Sequence, residues 1–227
     1  GLELGGDYDG VRLLRYYMVH RALVRAKVET MRGAQVAGTS EAEQHAAAVT
    51  RDVAWAERFA RPPRPALMLT HGFSGSGKTT LTQSLLEAGG AIRIRADVER
   101  KRLAGLPALA RGGLPGDSTR FADLYGEDMT AATYARMLEL AAPVVAGGWH
   151  VILDATFLKR RRRDEARCWA NERHMPCFVL DFDVDAQVLR QRVRQRAARA
   201  DDASDADEDV LAAQMRTAEP LGPDEMI

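Results

Sequence analysis

Residues 71–80 read HGFSGSGKTT and place Gly72, Gly77, Lys78 and Thr79 at the spacing G-x-x-x-x-G-K-[ST]. Glycines at 72, 75 and 77 let the backbone turn tightly enough for successive amides to face one anion. A helix starting at Lys78 would add its own unpaired amides and the positive end of its dipole. Phe73, Ser74, Gly75, Ser76 and Thr80 then belong to the same cradle, Lys78 reaches the outer phosphates of a nucleotide, and the Thr79 hydroxyl faces a magnesium ion. A dinucleotide-binding turn and a glycine-rich turn with a chance lysine share the glycines. The Lys-Thr pair at this offset, between a predicted strand and a predicted helix, favours the phosphate cradle.

Other charged residues fall where such a cradle could use them. In HVILDATF an apolar strand delivers Asp154 to its carboxyl end, where ligands gather in open α/β sheets; the alternative is a polar strand terminus or helix cap. Asp97 ends the strand AIRIRA and opens a helix as DVER, so Asp97 and Arg100 stand one turn apart and can address the same ligand. Asp97 is equally a residue type that caps helices. Arg95 precedes the pair by two residues and either points to the same sheet edge or is solvated. In LRQRVRQRAARA, Arg192 and Arg196 share one helical face, with Arg190, Arg194 and Arg199 leaving the register open and a plain solvated basic helix as the alternative. The run KRRRRDEAR (159–167) could track a phosphate backbone, but its acids and its lack of interleaved aromatic residues count against that.

The elements needed to position these residues are legible as alternation. Strands ALMLT, AIRIRA, HVILDA and CFVLDF are separated by helical patterns starting near Lys78, near Val98, over Asp128 to Ala146 and over RRRRDEARCWANERH; a last helix runs from about Ala186 to Ala200. Strand–helix alternation predicts an α/β fold: a three-layer sandwich around a mostly parallel sheet. Ahead of it, residues 11–32 recur as Leu13, Tyr17, His20, Val24, Val28 and Met31 on one helical face, with His20 expected as a packed histidine. SEAE announces a second helix, Ser40 capping and Glu43 reaching back, with Ala42, Ala46, Val49, Val53, Ala56 and Ala60 as its inner face. The two predict a helical hairpin over residues 1–62. RPPRP (61–65) breaks the second helix and marks the boundary to a domain over residues 65–227. The acidic stretch DDASDADED (201–209) reads as a solvated loop or helix start.

The chain has 227 residues, 46% hydrophobic and 28% charged, with 32 basic against 32 acidic side chains. Balanced charge gives no global steering toward nucleic acid or membrane. Cys168 and Cys177 are too few for a disulfide framework and are expected as reduced thiols. No apolar run approaches the roughly 20 residues that span a bilayer, and no export signal opens the sequence. These features predict a cytoplasmic protein without membrane contact.

GFSGSGKTTL, followed by RIRADVERKRLAGL and VILDATF, resembles the P-loop kinases, most closely the kinase module of bacterial two-part proteins in which that module follows an aminoglycoside-phosphotransferase-like domain. The resemblance covers residues 65–220, and LLRYYMVHRALVRAKV looks like the last helices of the upstream domain. It implies transfer of the γ-phosphate of ATP, with Mg2+, to a hydroxyl on a small-molecule acceptor. Gly72 to Thr80 would then hold the triphosphate and Thr79 with Asp154 the metal. Asp97 would accept the attacking hydroxyl's proton and Arg100 bind the acceptor, while Arg192 and Arg196 supply lid charge. The Asp-x-x-Arg pair resembles that of polynucleotide 5′-hydroxyl kinases, which keeps a nucleic-acid acceptor open; a nucleotide-binding regulatory module without catalysis is a third reading. In the related modules AEPLGPDEMI would lead into a further strand, so an exposed sheet edge is expected.

Overall fold

The computed structural model describes residues 2–107, 110, 124, 126–199 and 208–225, with backbone alone for residues 88–89 and 196–199. A short helix α1 (Leu2–Gly5) precedes the long helices α2 (Val11–Gln35) and α3 (Ser40–Ala60). There follow β1 (Leu67–His71), α4 (Lys78–Gly89), β2 (Ala91–Arg95), α5 (Ala96–Leu103), α6 (Glu127–Ala146), β3 (His150–Asp154), α7 (Arg160–Asn171), β4 (Cys177–Asp181), α8 (Ala186–Arg199) and α9 (Glu208–Thr217).

The four strands lie in the order β2-β3-β1-β4 and every pairing is parallel, so the expected α/β architecture is present. Strands in a parallel sheet are covered on both faces and must be apolar on both. Leu67, Leu69, Ile94, Val151, Ile152 and Leu153 are accordingly buried. Met137, Leu140, Ala141 and Val144 of α6 share a core with Leu67, Leu69, Ile94, Val151 and Leu153, as do Tyr8 and Val11 from the start of the chain. The pairing register sets Leu69 beside Leu153 and Arg95 beside Asp154, which brings the carboxyl ends of β1, β2 and β3 together.

Helices α2 and α3 form the expected hairpin, but its inner faces differ from the sequence reading. Val11, Ala22 and Ala26 are the buried positions of α2, whereas Leu13, Tyr17, Val24, Val28 and Met31 are exposed, and so is His20. The physical reason is closeness: alanines let two helices approach, and bulky apolar residues stay outside. On α3, Ala42, Val49 and Ala56 face inward while Ala46, Val53 and Ala60 do not. Buried Asp52 meets Arg25 of α2 at 2.6 Å, and Glu29 meets His45 at 2.6 Å, so polar clamps supplement the apolar contact. The predicted Ser40 cap is corrected too. The N-cap position belongs to Thr39, and its hydroxyl donates back to Val36 O at 2.7 Å instead of capping α3.

The hairpin is fixed to the sheet domain through the turn before β3. Arg15 donates from Nε to Gly147 O at 3.0 Å and from Nη2 to Gly148 O at 2.5 Å, with its guanidinium 4.2 Å above the Trp149 ring. At the other end of the chain, residues 218–225 form no strand. Glu219 N donates to Leu158 O, and Arg163 meets Glu225 at 2.6 Å with both side chains fully buried. Among the described residues β2 and β4 are the two sheet edges, and Phe178 of β4 is 38% exposed. Most of the acidic stretch, residues 201–207, lies outside the described residues; Glu208 and Asp209 open α9.

Candidate active site

The loop from His71 to Gly77 leaves the buried end of β1 and turns into α4. At Gly72 φ is +141°, and an added Cβ would lie 2.8 Å from Phe182 O, so the position tolerates no side chain. Gly77 takes the N-cap position of α4 in the left-handed region and has no side chain with which to cap the helix. The first amides of α4 stand at the end of the loop, where a helix start can meet an anion. Lys78 folds over this loop: Nζ donates to Gly72 O at 2.8 Å and Phe73 O at 2.6 Å, with Ser76 Oγ at 3.4 Å.

Asp154 closes the other side. Thr70 and Ala155 bond across β1 and β3, Thr70 Oγ1 donating to Ala155 O at 2.6 Å and accepting from Ala155 N at 3.1 Å. That tie fixes the strand end from which Asp154 projects. Thr79 Oγ1 donates to Asp154 Oδ2 at 2.7 Å, so the loop hydroxyl and the strand carboxylate meet as the motif reading expects. Burial pushes the Asp154 carboxyl above the usual range, opposed by the Thr79 hydrogen bond and by the charges of Arg95, Lys78 and Arg93. Arg93 and Arg95 each hold Nε 4.0 Å from Asp154 Oδ2, and both also face Glu3 of α1. Arg93 further ties α4 to β2 by donating to Thr79 O at 2.7 Å.

A cavity of about 850 Å³ unites these groups. Its wall includes residues 74–81, Arg95, Asp97, Arg100, Asp154 and Arg192. Gly72 and Phe73 stand behind the wall as acceptors for Lys78. Helix α5 begins at Ala96 with Arg95 at its N-cap, so Asp97 lies inside the first turn and caps nothing. Its Oδ1 instead accepts from Arg100 Nη1 at 3.0 Å, the pairing that one-turn spacing predicts. Arg192 Nη1 approaches Gly75 O at 3.4 Å from α8. Arg196 follows on the same helix, and its side chain lies outside the described residues.

Several lining residues were not singled out individually in the sequence. Tyr134 of α6 and Arg162 of α7 form the far end, the Arg162 guanidinium 5.7 Å from the Tyr134 ring and paired with Glu127 and Glu165 at 3.2 and 3.0 Å. Gln214 of α9 reaches the phosphate loop: its Oε1 accepts from Ser74 N and its Nε2 donates to Ser74 Oγ, both at 3.0 Å. The run KRRRRDEAR, read as a possible phosphate track, is largely neutralised by acids. Arg160 pairs with Asp164 and Asp224, Arg161 with Glu165, Arg163 with Glu225 and Arg167 with Asp224. Cys168 and Cys177 are both free thiols, and burial pushes Cys177 up to about 11, which disfavours its thiolate.

A glycine loop opening a helix, a hydroxyl–carboxylate pair beside it and a parallel sheet beneath define a P-loop domain. The chain belongs to the AAA domain family, whose model matches residues 67–221. It is 33% identical over 210 residues to uncharacterised proteins of Mycobacterium tuberculosis and Mycobacterium bovis. The match takes in 92% of this chain but spans only 39% of the relatives' length. Among solved structures, a candidate kinase of Chloroflexus aurantiacus is 18% identical with a TM-score of 0.52, covering 70% of this chain and 80% of that one. A gluconokinase of Sinorhizobium meliloti is 22% identical with a TM-score of 0.49, covering 72% and 81%. The similarity to the Chloroflexus structure is one of fold.

Proposed function

We propose that this chain is an ATP-dependent kinase that moves the γ-phosphate to a hydroxyl of a small-molecule acceptor. The observation that carries the reading is the Thr79–Asp154 contact at 2.7 Å, set in one cavity wall with the Asp97–Arg100 pair. A donor half and an acceptor half thus share one space.

The residues fit Mg2+. A hydroxyl and a single buried carboxylate converge, and among the described residues no group of three or more His, Cys, Asp or Glu could cage an ion. Mg2+ suits such a sparse protein contribution, because phosphate oxygens and water complete its octahedron. Thr79 and Asp154 would hold it, and its charge would offset that of the triphosphate. Lys78 turns from the loop carbonyls toward the outer phosphates, and the α4 amides orient them. Asp97 aligns the acceptor hydroxyl and takes its proton as the oxygen attacks the γ-phosphorus; the bond to the bridging oxygen breaks and ADP leaves. Arg192 faces the charge that gathers on that leaving oxygen, a task for a preorganised cation.

The acid-paired arginines of α7 favour a small acceptor over a polynucleotide, since a phosphate track needs uncompensated charge. Among the described residues no helix is long and apolar enough to cross a membrane. The outward residues of the hairpin, Leu13, Tyr16, Tyr17 and Val24, support the reading that α2 packs against an upstream domain of a longer parent. The test of the function is a γ-phosphate transfer screen over metabolite, antibiotic and oligonucleotide pools, with Lys78→Ala as the blank. Transfer to a small molecule above the blank is the expected result. Transfer to oligonucleotides alone would replace the acceptor class, and nucleotide binding with no transfer would leave a regulatory module.

A further inference from the structure

The amide and the hydroxyl of Ser74, in the phosphate loop, are both engaged by a single distant side chain. Ser74 N donates to Gln214 Oε1 and Ser74 Oγ accepts from Gln214 Nε2, each at 3.0 Å. The amide plane of Gln214 therefore fixes both the position of residue 74 and the rotation of its side chain. Its support is firm. Leu211, one turn earlier on α9, is buried against Leu189 and Val193 of α8, with Phe73 packed on the same cluster. α8 presses on the next residue of the loop: a Cβ at Gly75 would lie 3.2 Å from Val193 Cγ2 and 3.3 Å from Leu189 O. Below α9, Glu219 accepts from Arg160 N at 2.7 Å, anchoring the helix's exit to α7.

The loop needs this clasp. Its glycines permit many backbone conformations, and only one presents successive amides to a triphosphate. Lys78 cannot hold that shape alone, because its ammonium must serve the phosphates. We propose that Gln214 is a positioning residue for nucleotide binding, and that α8 and α9 together hold the phosphate loop open for ATP by gripping Ser74 and Gly75. Gln214 touches no reacting atom; it acts through Ser74. The inference rests on the ATP-kinase reading.

The experiment measures binding of a fluorescent N-methylanthraniloyl-ATP with magnesium to the wild-type chain and to Gln214→Met, Ser74→Ala and the double variant. Methionine keeps the volume and removes both hydrogen bonds. Loss of two hydrogen bonds predicts about tenfold weaker binding for Gln214→Met, with a far-UV circular dichroism spectrum like wild type. Because Gln214 acts through Ser74, the double variant is expected to lose less than the product of the single losses. Gln214→Asn, one methylene too short to span both atoms, serves as a second variant if the methionine chain does not fold. Wild-type affinity in Gln214→Met or Gln214→Asn, or fully multiplicative losses in the double variant, overturns the positioning role while the kinase reading stands. Absence of binding by the wild type overturns the kinase reading and this inference with it.

Discussion

Arg95 and Asp154 are register partners on β2 and β3, and Arg95 Nε lies 4.0 Å from Asp154 Oδ2. With Arg93 at the same distance, the buried carboxylate of the site is held between two guanidinium groups and the Thr79 hydroxyl. Burial pushes this carboxyl above its usual range, and the hydroxyl and the neighbouring cations oppose that shift.

Replacing Asp154 by Asn keeps the size of the side chain and removes the charge. The expected outcome is that magnesium no longer tightens ATP binding, whereas in wild type it does. Titration of the nucleotide with and without magnesium checks this; an unchanged magnesium effect would remove Asp154 from the metal site.

Lys78→Ala keeps the loop's glycines and takes away the cation that binds Gly72 O and Phe73 O. Phosphoryl transfer is expected to fall by about three orders of magnitude, with thermal stability close to wild type. Full transfer activity in this variant would be incompatible with a phosphate-binding role for the loop.

Asp97→Asn preserves hydrogen bonding to Arg100 and cannot take a proton. ATP binding should persist while turnover drops by about 10²–10⁴-fold, the range for loss of a general base. Steady-state kinetics on the acceptor found in the screen decides the matter, and unchanged turnover would reduce Asp97 to a partner of Arg100.

Glu225 makes a stability prediction. Its hydrogen bonds to Arg163 hold its carboxyl down to about 2, against an unfolded value of about 4.3. A depressed acid stabilises the fold above its unfolded pKa, and that contribution disappears as pH falls through its folded pKa. Thermal midpoints should therefore decline between about pH 4.3 and 2, and Glu225→Gln should lack this part of the decline. At neutral pH the same variant is expected to cost about 3 kcal/mol, as buried pairs do when one partner is neutralised. Calorimetry across this pH window reads both.

What the sequence could reveal follows from how each residue is fixed. Lys78, Thr79 and Asp154 were legible because a strand end and a helix start set their places, and those boundaries are written in local pattern. Gln214 was not, because its partner Ser74 is 140 residues away and a glutamine on a helix announces nothing. Arg162 was hidden within a run of like residues; which of four arginines turns into the cavity is decided by the packing of α7, not by spacing. The hairpin misled in a third way. Leu13, Tyr17 and Val24 outweigh Ala22 and Ala26 in hydrophobicity, yet the small residues permit the closer helix contact.

The grip of Arg15 on Gly147 and Gly148 bears on how the molecule can be dissected. The turn it holds leads straight into β3, the strand that ends at Asp154, and Tyr8 and Val11 sit in the same core as that strand. The proline break after α3 separates segments of sequence, but these contacts reach across it. A shortened clone starting at Pro65 would strip the cover from Trp149 and uncap two carbonyls, loosening the base of the strand that carries the site's carboxylate. Crystallographers and enzymologists trimming this chain should keep Glu3 as well as Tyr8 and Arg15.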